Sequence, residues 1–551
     1  MDKRSLLAVF LSLLILIAYQ VIIAHLYPQP QKPSLLQSKQ EDGSQGGDSS
    51  LARSSREEQT VRPAEKAPSA SSETRLPDSI GRDVSVENEV YVAVFSSLGG
   101  RLKSFRLKHY PGEEGRDSPP LEMIRQGARG ELPLEVRIEG KNFVISDANI
   151  LYEVRGNNLS VYDKEKASLE FRGKTADGIP ISKTFSFSGQ TYGMTIDLKI
   201  DGVPQDTSSL ALLWTHALDH TQQNQSYGEP GPVALVGRKF IYETNSSVEK
   251  KERLIGPDRV RWAGYANTYF LSAMIPPEGD TDSLLFSVVD GTVETKLTIP
   301  WSQQLVTYTI YVGPKEFTAL NAVDPSLDRA IDFGWSHFIA RPLLSLLQLS
   351  HSFTGNYGID IILLTILVKL AFFPLSTKSF KSMNEMKKIQ PQLEQLREQY
   401  KDDREKLNKE MMELYRRNSI NPLGGCLPML VQLPVFIGLY QAFMHSIELR
   451  QAPFFGWIQD LSRPDRLGTV SLPFVEPPGI PVLTILMGGT MLIQQAMTPA
   501  TGDPAQQKIM MIMPLIFTVM FINFPAGLVL YWLVNNILSI AQQFAYDKGL
   551  V

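Results

Sequence analysis

The sequence has a single cysteine, Cys426, among its 551 residues, and only seven histidines. One cysteine excludes an intrachain disulfide and any metal site built from several thiolates. His216 and His220 are the histidines with a ligand-like spacing, but Asp219 is the only further ligand nearby, and the surrounding pattern is typical of strand and turn. We therefore predict no metal and no other cofactor.

Positive charge is not in excess, because Lys and Arg number 54 against 58 Asp and Glu, for a net charge of −4. No stretch interleaves aromatic and basic residues, so nothing indicates direct sequence-specific binding of nucleic acid. Long hydrophobic runs are missing from residues 82–320 and are concentrated at the extreme N-terminus and after residue 355. A chain of this length forms two or three domains, and this distribution predicts a polar domain between membrane-embedded ends.

The N-terminal region, residues 1–27, is predicted to be a signal-anchor. Residues 5–27 (SLLAVFLSLLILIAYQVIIAHLY) follow the basic pair Lys3-Arg4. An apolar run of roughly 22 residues is enough to span a bilayer, and no clear small-residue cleavage site follows it, although cleavage remains the alternative. The basic pair places the N-terminus in the cytoplasm. Residues 28–80, rich in Gln, Ser, Pro, Glu and Lys, are predicted to be a disordered linker.

Residues 81–326 are predicted to form an exported β-sandwich domain. Apolar and polar residues largely alternate with period two in several short segments separated by Gly, Asn, Asp and Pro turns, which is the pattern of half-buried strands. The segments are 84–86, 91–95, 183–187, 195–200, 293–299 and 306–311.

Residues 327–350 are predicted to form an amphipathic helix lying in the membrane interface. Their apolar content is high, but Asp328 and Arg341 lie among the apolar residues and Pro342 interrupts the run. Five further spans are predicted within a core of residues 351–545, followed by a short cytoplasmic tail, 546–551. These spans are residues 357–375, 427–445, 481–498, 509–523 and 526–543.

The charge of the connecting loops predicts the orientation of the spans. The segment 376–421 carries eleven basic residues, namely Lys378, Lys381, Lys387, Lys388, Arg397, Lys401, Arg404, Lys406, Lys409, Arg416 and Arg417. The segment 446–479 carries three, namely Arg450, Arg463 and Arg466. The positive-inside rule then places 376–421 in the cytoplasm. The sequence thus predicts a multi-span α-helical membrane protein with six transmembrane helices, cytoplasmic termini and a large exported β domain.

The cytoplasmic segment 376–421 is predicted to be a helical hairpin, since Phe380, Met383, Met386, Ile389 and Leu393 recur every three or four residues.

Lys369 is the most informative residue of the second span. A central lysine costs a membrane helix roughly 2.5–3.5 kcal/mol, and no other C-terminal span carries an acidic or basic residue in its interior. Thr365 shares its helix face, and Gln432 and Asn535 add polar groups in other spans. Two interpretations remain open for Lys369: snorkelling to cytoplasmic headgroups, or a hydrophilic groove open to the cytoplasm. For each polar residue taken singly, helix-to-helix bonding is the simpler role.

Five segments of the C-terminal half closely resemble the YidC/Oxa/Alb family of membrane protein insertases, in its Gram-negative form. They are residues 421–428 (NPLGGCLP), 432–436 (QLPVF), 448–454 (ELRQAPF), 503–510 (DPAQQKIM) and 524–532 (FPAGLVLYW). The resemblance covers residues 327–545, and the order of an anchor followed by an exported β domain is also that of the family. In the family the β domain is a twisted sandwich similar to sugar mutarotases.

The resemblance implies a mechanism and a location. Family members take nascent inner-membrane proteins into a charged groove, open to cytoplasm and lipid, and release them into the bilayer, alone or with the Sec translocon. It implies the inner membrane as location, a periplasmic β domain, and the ribosome and signal-recognition machinery as further partners. The groove cation is usually Arg in the family, and the matching position is Lys369. A groove tyrosine matches Trp532, and Thr365 and Tyr531 follow the family pattern.

Two rival functions are weaker. A secondary transporter generally needs intramembrane carboxylates or paired repeats with broken helices, and neither is visible. An enzyme acting through the mutarotase-like domain would need a convergent set drawn from His109, His216 or His220 with a carboxylate. A pocket that gathers histidine with a carboxylate would be the observation in its favour. We therefore predict that the protein is not an enzyme.

Overall fold

The computed structural model describes residues 81–112, 115, 117–218, 229–279, 281–401, 403–418, 420, 427–471, 473, 475–497 and 504–550. The predicted signal-anchor, the predicted linker, His220 and Cys426 lie outside the described residues.

The described residues between 83 and 314 form twenty strands. They are β1 (Asp83–Glu87), β2 (Tyr91–Ser96), β3 (Arg101–Pro111), β4 (Pro120–Glu122), β5 (Glu135–Gly140), β6 (Val144–Ser146), β7 (Glu153–Arg155), β8 (Leu159–Ser160), β9 (Lys166–Lys174), β10 (Pro180–Ser188), β11 (Gly193–Ile200), β12 (Thr207–Ala217), β13 (Gly231–Val236), β14 (Lys239–Tyr242), β15 (Arg253–Ile255), β16 (Val260–Ala266), β17 (Phe270–Ile275), β18 (Ser283–Val289), β19 (Thr292–Pro300) and β20 (Leu305–Pro314). Each of the six segments with period-two alternation lies inside one of these strands.

The strands form three sheets. A nine-stranded sheet has the order β14-β13-β16-β17-β20-β11-β10-β9-β7, a six-stranded sheet the order β15-β18-β19-β12-β5-β6, and a five-stranded sheet the order β4-β3-β2-β1-β8. β16 of the nine-stranded sheet contacts β12 and β19 of the six-stranded sheet, and Thr295 Oγ1 donates a hydrogen bond to Gly264 O across them at 3.1 Å. Trp214 and Trp262 are fully buried. The prediction of a β-rich domain is confirmed.

One lysine occupies an inward position of an otherwise apolar strand face. Lys183 on β10 is fully buried, and its ammonium lies 2.5 Å from Asp147 Oδ2 and donates to the carbonyl oxygens of Gly99 and Leu134, both at 2.8 Å. Burial raises the pKa of the Asp147 carboxyl and lowers that of Lys183, while each charge opposes the shift of the other. Breaking such a pair by removing one partner costs about 3–5 kcal/mol.

Ten helices accompany the strands in the described residues. They are α1 (Asn245–Lys250), α2 (Phe317–Asn321), α3 (His337–Thr354), α4 (Tyr357–Ala371), α5 (Phe373–Gln399), α6 (Arg404–Arg417), α7 (Leu427–His445), α8 (Val482–Met497), α9 (Pro504–Phe521) and α10 (Ala526–Asp547). Short 3₁₀ helices cover Pro325–Ala330, Gly334–Ser336 and Ile447–Leu449.

The predicted interfacial helix starts later than the sequence pattern indicated. Two 3₁₀ turns precede α3, and Gly334, the first residue of the second turn, has a φ of 57°, a left-handed conformation that a regular helix does not contain. Pro342 lies inside α3 and does not end it, contrary to the prediction that it interrupts the run. Gly355, with φ 63°, ends α3, and the side chain of Asn356 caps α4 by accepting from Gly358 N and Ile359 N.

The predicted span 357–375 is not one straight helix. α4 ends at Ala371, and α5 leaves at an angle of 63° to it. Pro374 stands in the first turn of α5. Proline has no N–H to donate to the carbonyl oxygen four residues earlier, that of Leu370, and its ring crowds that carbonyl, so one regular helix does not continue through this point.

By length and composition, Ala526–Asp547 is the one helix among the described residues that is long and apolar enough to cross a bilayer. The bent pair α4 and α5 passes the same test if the two helices are taken together as one broken span. Val482–Met497 and Met510–Phe521 are shorter apolar helices. α10 packs against α4, α7 and α8, so it is the central helix of the bundle.

The β domain and the helical bundle share polar contacts. Arg450 Nη2 donates to Pro111 O at 3.0 Å, and Gln451 Nε2 donates to Gly112 O at 2.7 Å. The Arg450 guanidinium also lies 5.4 Å from the centre of the Phe270 ring. These contacts join the end of β3 to the segment that follows α7.

Candidate functional site

The central helix α10 carries one line of buried polar side chains. Tyr531, Asn535, Ser539 and Gln542 are buried and follow one another at helical spacing of four, four and three residues. At 3.6 residues per turn these positions share one face of the helix. That face is turned toward α4 and the start of α5, as the contacts of Ser539 and Gln542 show. We call this line the polar stripe of α10.

Lys369 meets the polar stripe near its middle. Its ammonium donates to Ser539 Oγ at 2.6 Å, and Ser539 Oγ in turn donates to Asn535 O at 2.7 Å. Among the described residues no carboxylate forms an ion pair with Lys369. The nearest acid on its own helix, Asp360, lies nine residues away at the start of α4, about 13 Å along the axis. The cation is therefore held by a hydroxyl group across a helix interface, with no compensating negative charge.

The carboxylate of Asp360, at the other end of α4, has hydrogen-bond partners of its own. Its carboxylate is fully buried, accepts from Thr354 Oγ1 at 2.6 Å, and lies 2.9 Å from His351 Nδ1. The His351 ring stacks in parallel on Tyr357, with centroids 3.6 Å apart. This cluster fixes the elbow between α3 and α4, so it positions α4 rather than lining the site.

Thr365 and Tyr531 lie closer to the interior of the bundle than the sequence pattern indicated. Thr365 is buried, and its hydroxyl donates to Ile361 O of its own helix at 2.6 Å. Tyr531 is almost fully buried, and Gln432 Nε2 donates to its hydroxyl at 3.4 Å. Gln432 is partly buried, so this contact joins α7 to the polar stripe.

Trp532 does not share the face of the polar stripe. Its ring packs at right angles on Phe436 of α7, with centroids 4.7 Å apart, and lies 6.2 and 5.3 Å from Phe517 and Phe521 of α9. Apart from Thr365, the predicted groove residues thus divide into three groups. Lys369 and Asn535 meet through Ser539, Gln432 meets Tyr531, and Trp532 belongs to an aromatic cluster between α7, α9 and α10.

Sequence reasoning missed Ser539 and Gln542. Gln542 Nε2 donates to Phe373 O at 3.4 Å and to Thr377 Oγ1 at 3.3 Å, at the break between α4 and α5. Gln542 therefore ties α10 to the first turn of α5, where Thr377 Oγ1 also donates to Phe373 O at 3.0 Å. The signal that could have found both residues is the spacing of polar residues in 526–547, read as a helical stripe rather than residue by residue.

A second face of α10, about 100° around the helix from the polar stripe, also carries amides, and these bond to α8. Asn536 Nδ2 donates to Thr490 Oγ1 at 3.2 Å, and Gln543 Nε2 donates to Met497 O at 3.0 Å, both toward α8. α9 differs from these helices, because many of its apolar side chains are exposed. They include Met511, Ile512, Leu515, Ile516, Val519 and Met520.

The hairpin of α5 and α6 has a small core of its own. Met386, Ile389 and Leu393 pack with Tyr415 and Ile420. Asp403 caps α6 by accepting from Lys406 N at 3.1 Å. Its many lysines and arginines remain on the outer faces, as the sequence pattern predicted.

The β domain does contain a small cleft that gathers a histidine with a carboxylate. His216, Arg125 and Glu122 line it, with Tyr265. The Glu122 carboxylate accepts from Phe105 N and Ile124 N at 2.7 and 3.0 Å, and His216 stacks on Tyr265 with centroids 4.1 Å apart. Both groups are thus held by the domain's own structure. The described residues include no cluster of three or more metal-ligating side chains.

Two protein-family models match this chain, one after the other along the sequence. Residues 83–346 match the model described as YidC periplasmic domain, and residues 349–550 match the model described as 60Kd inner membrane protein. The membrane protein insertase YidC of Geotalea daltonii is 37% identical to this chain over 559 residues, with each chain covered completely. The chain belongs to the YidC family of membrane protein insertases.

A second relative also matches this chain over its full length. The membrane protein insertase YidC of Syntrophus aciditrophicus is 38% identical over 572 residues, again with each chain covered completely. A crystal structure of an active YidC insertase with its first transmembrane domain resolved is 18% identical, covers 83% of this chain and 91% of its own, and gives a TM-score of 0.37. The predicted family, a non-enzymatic inner-membrane insertase with a periplasmic β-rich domain, is confirmed.

Proposed function

We propose that this insertase takes the polar segment of a nascent inner-membrane protein into a groove whose charge is Lys369, and releases the apolar segment into lipid along α9. The observation that carries the proposal is the ammonium of Lys369 held on Ser539 beside the polar stripe of α10. Thr365, Gln432, Tyr531 and Asn535 belong to the same region, and Trp532 forms its aromatic border.

The charge of Lys369 gives the groove a preference. A partly buried cation with no carboxylate among its described contacts retains its attraction for an incoming negative charge, and this attraction is stronger in a poorly solvated site than in water. A client carboxylate or polar backbone can take up the donors of Lys369. The exposed apolar side chains of α9 offer the adjoining transmembrane segment a surface no more polar than lipid.

The direction of the Lys369 side chain supports a groove over snorkelling. A snorkelling lysine extends along its own helix toward the headgroups. Here the ammonium reaches across to α10, and it bonds a residue one turn beyond Asn535. The bond satisfies one of the three donors of the ammonium and leaves the others for water or a client.

The proposed arrangement in the membrane has six spans. The signal-anchor of residues 1–27 is followed by the linker 28–80 and by the periplasmic β domain of residues 81–326, and residues 327–350 lie in the outer interface. The core of residues 351–545 contributes five spans. The eleven basic residues of 376–421 support a cytoplasmic hairpin, and both termini are then cytoplasmic.

The hairpin of α5 and α6 is proposed to receive clients. It begins at the break below Lys369, so it stands at the cytoplasmic mouth of the groove. Its basic outer faces suit a negatively charged partner such as the ribosome, and the Sec translocon is a further proposed partner in the membrane.

Site-specific photocrosslinking tests the groove. A photoreactive residue at position 432 is compared with one at position 433, because Gln432 is partly buried beside Tyr531 while the neighbouring Leu433 is 53% exposed. A ribosome-stalled client with a short acidic translocated tail should crosslink from its polar segment to position 432 and not to position 433. Tail crosslinks confined to position 433 would contradict a groove at this place.

A further inference from the structure

A second basic site lies in the β domain, away from the groove. Arg238 follows β13, Arg261 lies on β16, and Arg329 lies in the 3₁₀ helix Pro325–Ala330. Together they line an open cleft, to which Ser326 and Asp328 also contribute. We call it the arginine cleft.

The three arginines of the arginine cleft are not neutralised within the described part of the chain. Each is exposed, and none forms an ion pair there. The one acidic residue of the cleft, Asp328, already has a cation at its carboxylate, since Arg341 Nη1 lies 3.9 Å from Asp328 Oδ2. Three guanidinium groups against one shared carboxylate leave the cleft positive.

The cleft has a fixed floor. The indole of the buried Trp262 donates to Ser326 O at 3.1 Å, which ties the 3₁₀ helix to β16 beside Arg261. Leu327 and Ala330 of the same 3₁₀ helix are buried. Arg261 and Arg329 therefore project from a rigid frame, so less entropy is lost when they bind a ligand than if they stood on a mobile loop.

The same 3₁₀ helix leads directly to a line of exposed apolar side chains. Trp335 and Phe338 are 65% and 69% exposed, and Leu346, Leu349 and Phe353 continue the line along α3 at helical spacing. Exposed tryptophan and phenylalanine beside charged residues are typical of the level of lipid headgroups. Trp335 is the sixth residue after Arg329, so their Cα atoms are at most about 21 Å apart.

We propose that the arginine cleft binds the phosphate of an anionic phospholipid of the outer leaflet, with the acyl chains lying along the exposed apolar line of α3. The planar fork of arginine suits a phosphate, to which it can donate two parallel hydrogen bonds. The apolar line favours a lipid over free phosphate, because only a lipid uses both features. The proposal goes beyond insertion itself and rests on the proposed placement of α3 in the outer interface.

Lipid binding by the full chain tests the proposal. The detergent-purified protein is titrated with short-chain phosphatidylglycerol, short-chain phosphatidylcholine or inorganic phosphate, and bound adducts are counted by native mass spectrometry. The variant Arg238→Gln/Arg261→Gln/Arg329→Gln is compared with Arg106→Gln/Arg155→Gln/Lys174→Gln, which removes three exposed cations elsewhere on the β domain. We expect the first variant to bind phosphatidylglycerol ~10-fold more weakly and the second to bind it as the unmodified chain does.

Other outcomes would overturn the proposal. Equal binding of phosphatidylglycerol and phosphatidylcholine, or equal loss in both variants, would show that the cleft is not the lipid site. Displacement of the lipid by inorganic phosphate at equal concentration would assign the cleft to a free anion. If the triple variant does not fold, Arg261→Gln alone and the charge-preserving Arg261→Lys give the same comparison, with Arg261→Lys expected to retain more binding.

The insertion reaction separates this proposal from the groove mechanism. Reconstituted in neutral lipid, the triple variant should insert clients as the unmodified chain does, because it leaves Lys369 and the polar stripe intact. Selective loss of clients with acidic tails in neutral lipid would assign the cleft to clients and overturn the lipid assignment. Failure of the Lys369 experiments would leave the lipid titration unaffected.

Discussion

Removing the charge of Lys369 should weaken insertion in proportion to the negative charge of the client. A client carboxylate that displaces Ser539 from the ammonium, or lies beside it, would have its charge ~5 Å from that of Lys369. With an effective dielectric constant of ~20, this attraction is worth about 3 kcal/mol. Losing it corresponds to about a 100-fold lower occupancy of the groove by an acidic segment. Neutral segments lose only a hydrogen bond of about 1 kcal/mol.

The assay uses two clients that differ only in the translocated tail, one with acidic residues and one with the matching amides. Lys369→Ala should impair the acidic client strongly and the amide client mildly. Lys369→Arg should preserve insertion of both, since arginine keeps the charge and adds donors. Lys369→Glu should fail with the acidic client, because it replaces attraction with repulsion. Ser539→Ala, which keeps the cation and removes its acceptor, is the matched control for the hydrogen bond alone.

Insertion of acidic clients at the unmodified level by both Lys369→Ala and Lys369→Glu, at normal expression, would refute the groove charge. Lys369 would then be an interfacial anchor whose contact with Ser539 serves helix packing.

Three further outcomes are expected. In a Cys426→Ser background, Lys401→Cys should be labelled only by reagents that enter the cytoplasm, and Lys199→Cys by impermeant reagents from outside, because the proposed topology places them on opposite sides. Met412→Pro should reduce insertion while the spans remain folded, since it breaks α6, whereas Met412→Ala should not. Burial lowers the pKa of Lys315 to about 8. The unfolded chain then binds more protons between pH 8 and 10.5, so stability should rise across this window by up to about 3 kcal/mol, and Lys315→Met should remove the rise in thermal midpoint.

Each of these outcomes has a result that would contradict it. The reverse labelling pattern would exclude the six-span topology. Full insertion by a stably folded Met412→Pro protein would show that the hairpin is dispensable. An identical pH dependence in Lys315→Met would show that other groups cause the rise.

Local patterns were enough to predict six of the twenty described strands and most of the described helices. Period-two alternation in 183–187 and 195–200 located strands that pair with each other in the structure, since a half-buried strand imposes that period wherever it lies. Lys183 shows the limit of the pattern. The sequence does not show whether the side chain of Lys183 points into the domain or toward solvent. Its partner Asp147 lies 36 residues away, so only the tertiary structure reveals a buried ion pair.

The candidate site could also be predicted only in part, because only some of its residues are visible in a local pattern. A lysine in an apolar run is visible in the sequence, because its cost depends on the local run alone. Its acceptor Ser539 lies 170 residues further along the chain, and serine is too common in helices to indicate a partner. The aromatic setting of Trp532 depends on Phe436 and Phe517 from two other helices, which no periodicity within 526–547 could specify. Pro374 indicates a helix break near Phe372, but the sequence prediction treated the apolar run 357–375 as a single span.

The polar stripe of α10 has a mechanical consequence. Because Ser539 and Gln542 bond toward α4 and α5 while Asn536 and Gln543 bond toward α8, turning α10 about its axis would strip polar side chains of their partners on two sides at once. α9 has no such restraint in its described side chains, since the hydroxyl of Thr518 bonds to Pro514 O of its own helix. In the proposed mechanism, a client would therefore widen the bundle most easily by displacing α9 against a stationary α10, and α9 is the helix with the exposed apolar side chains.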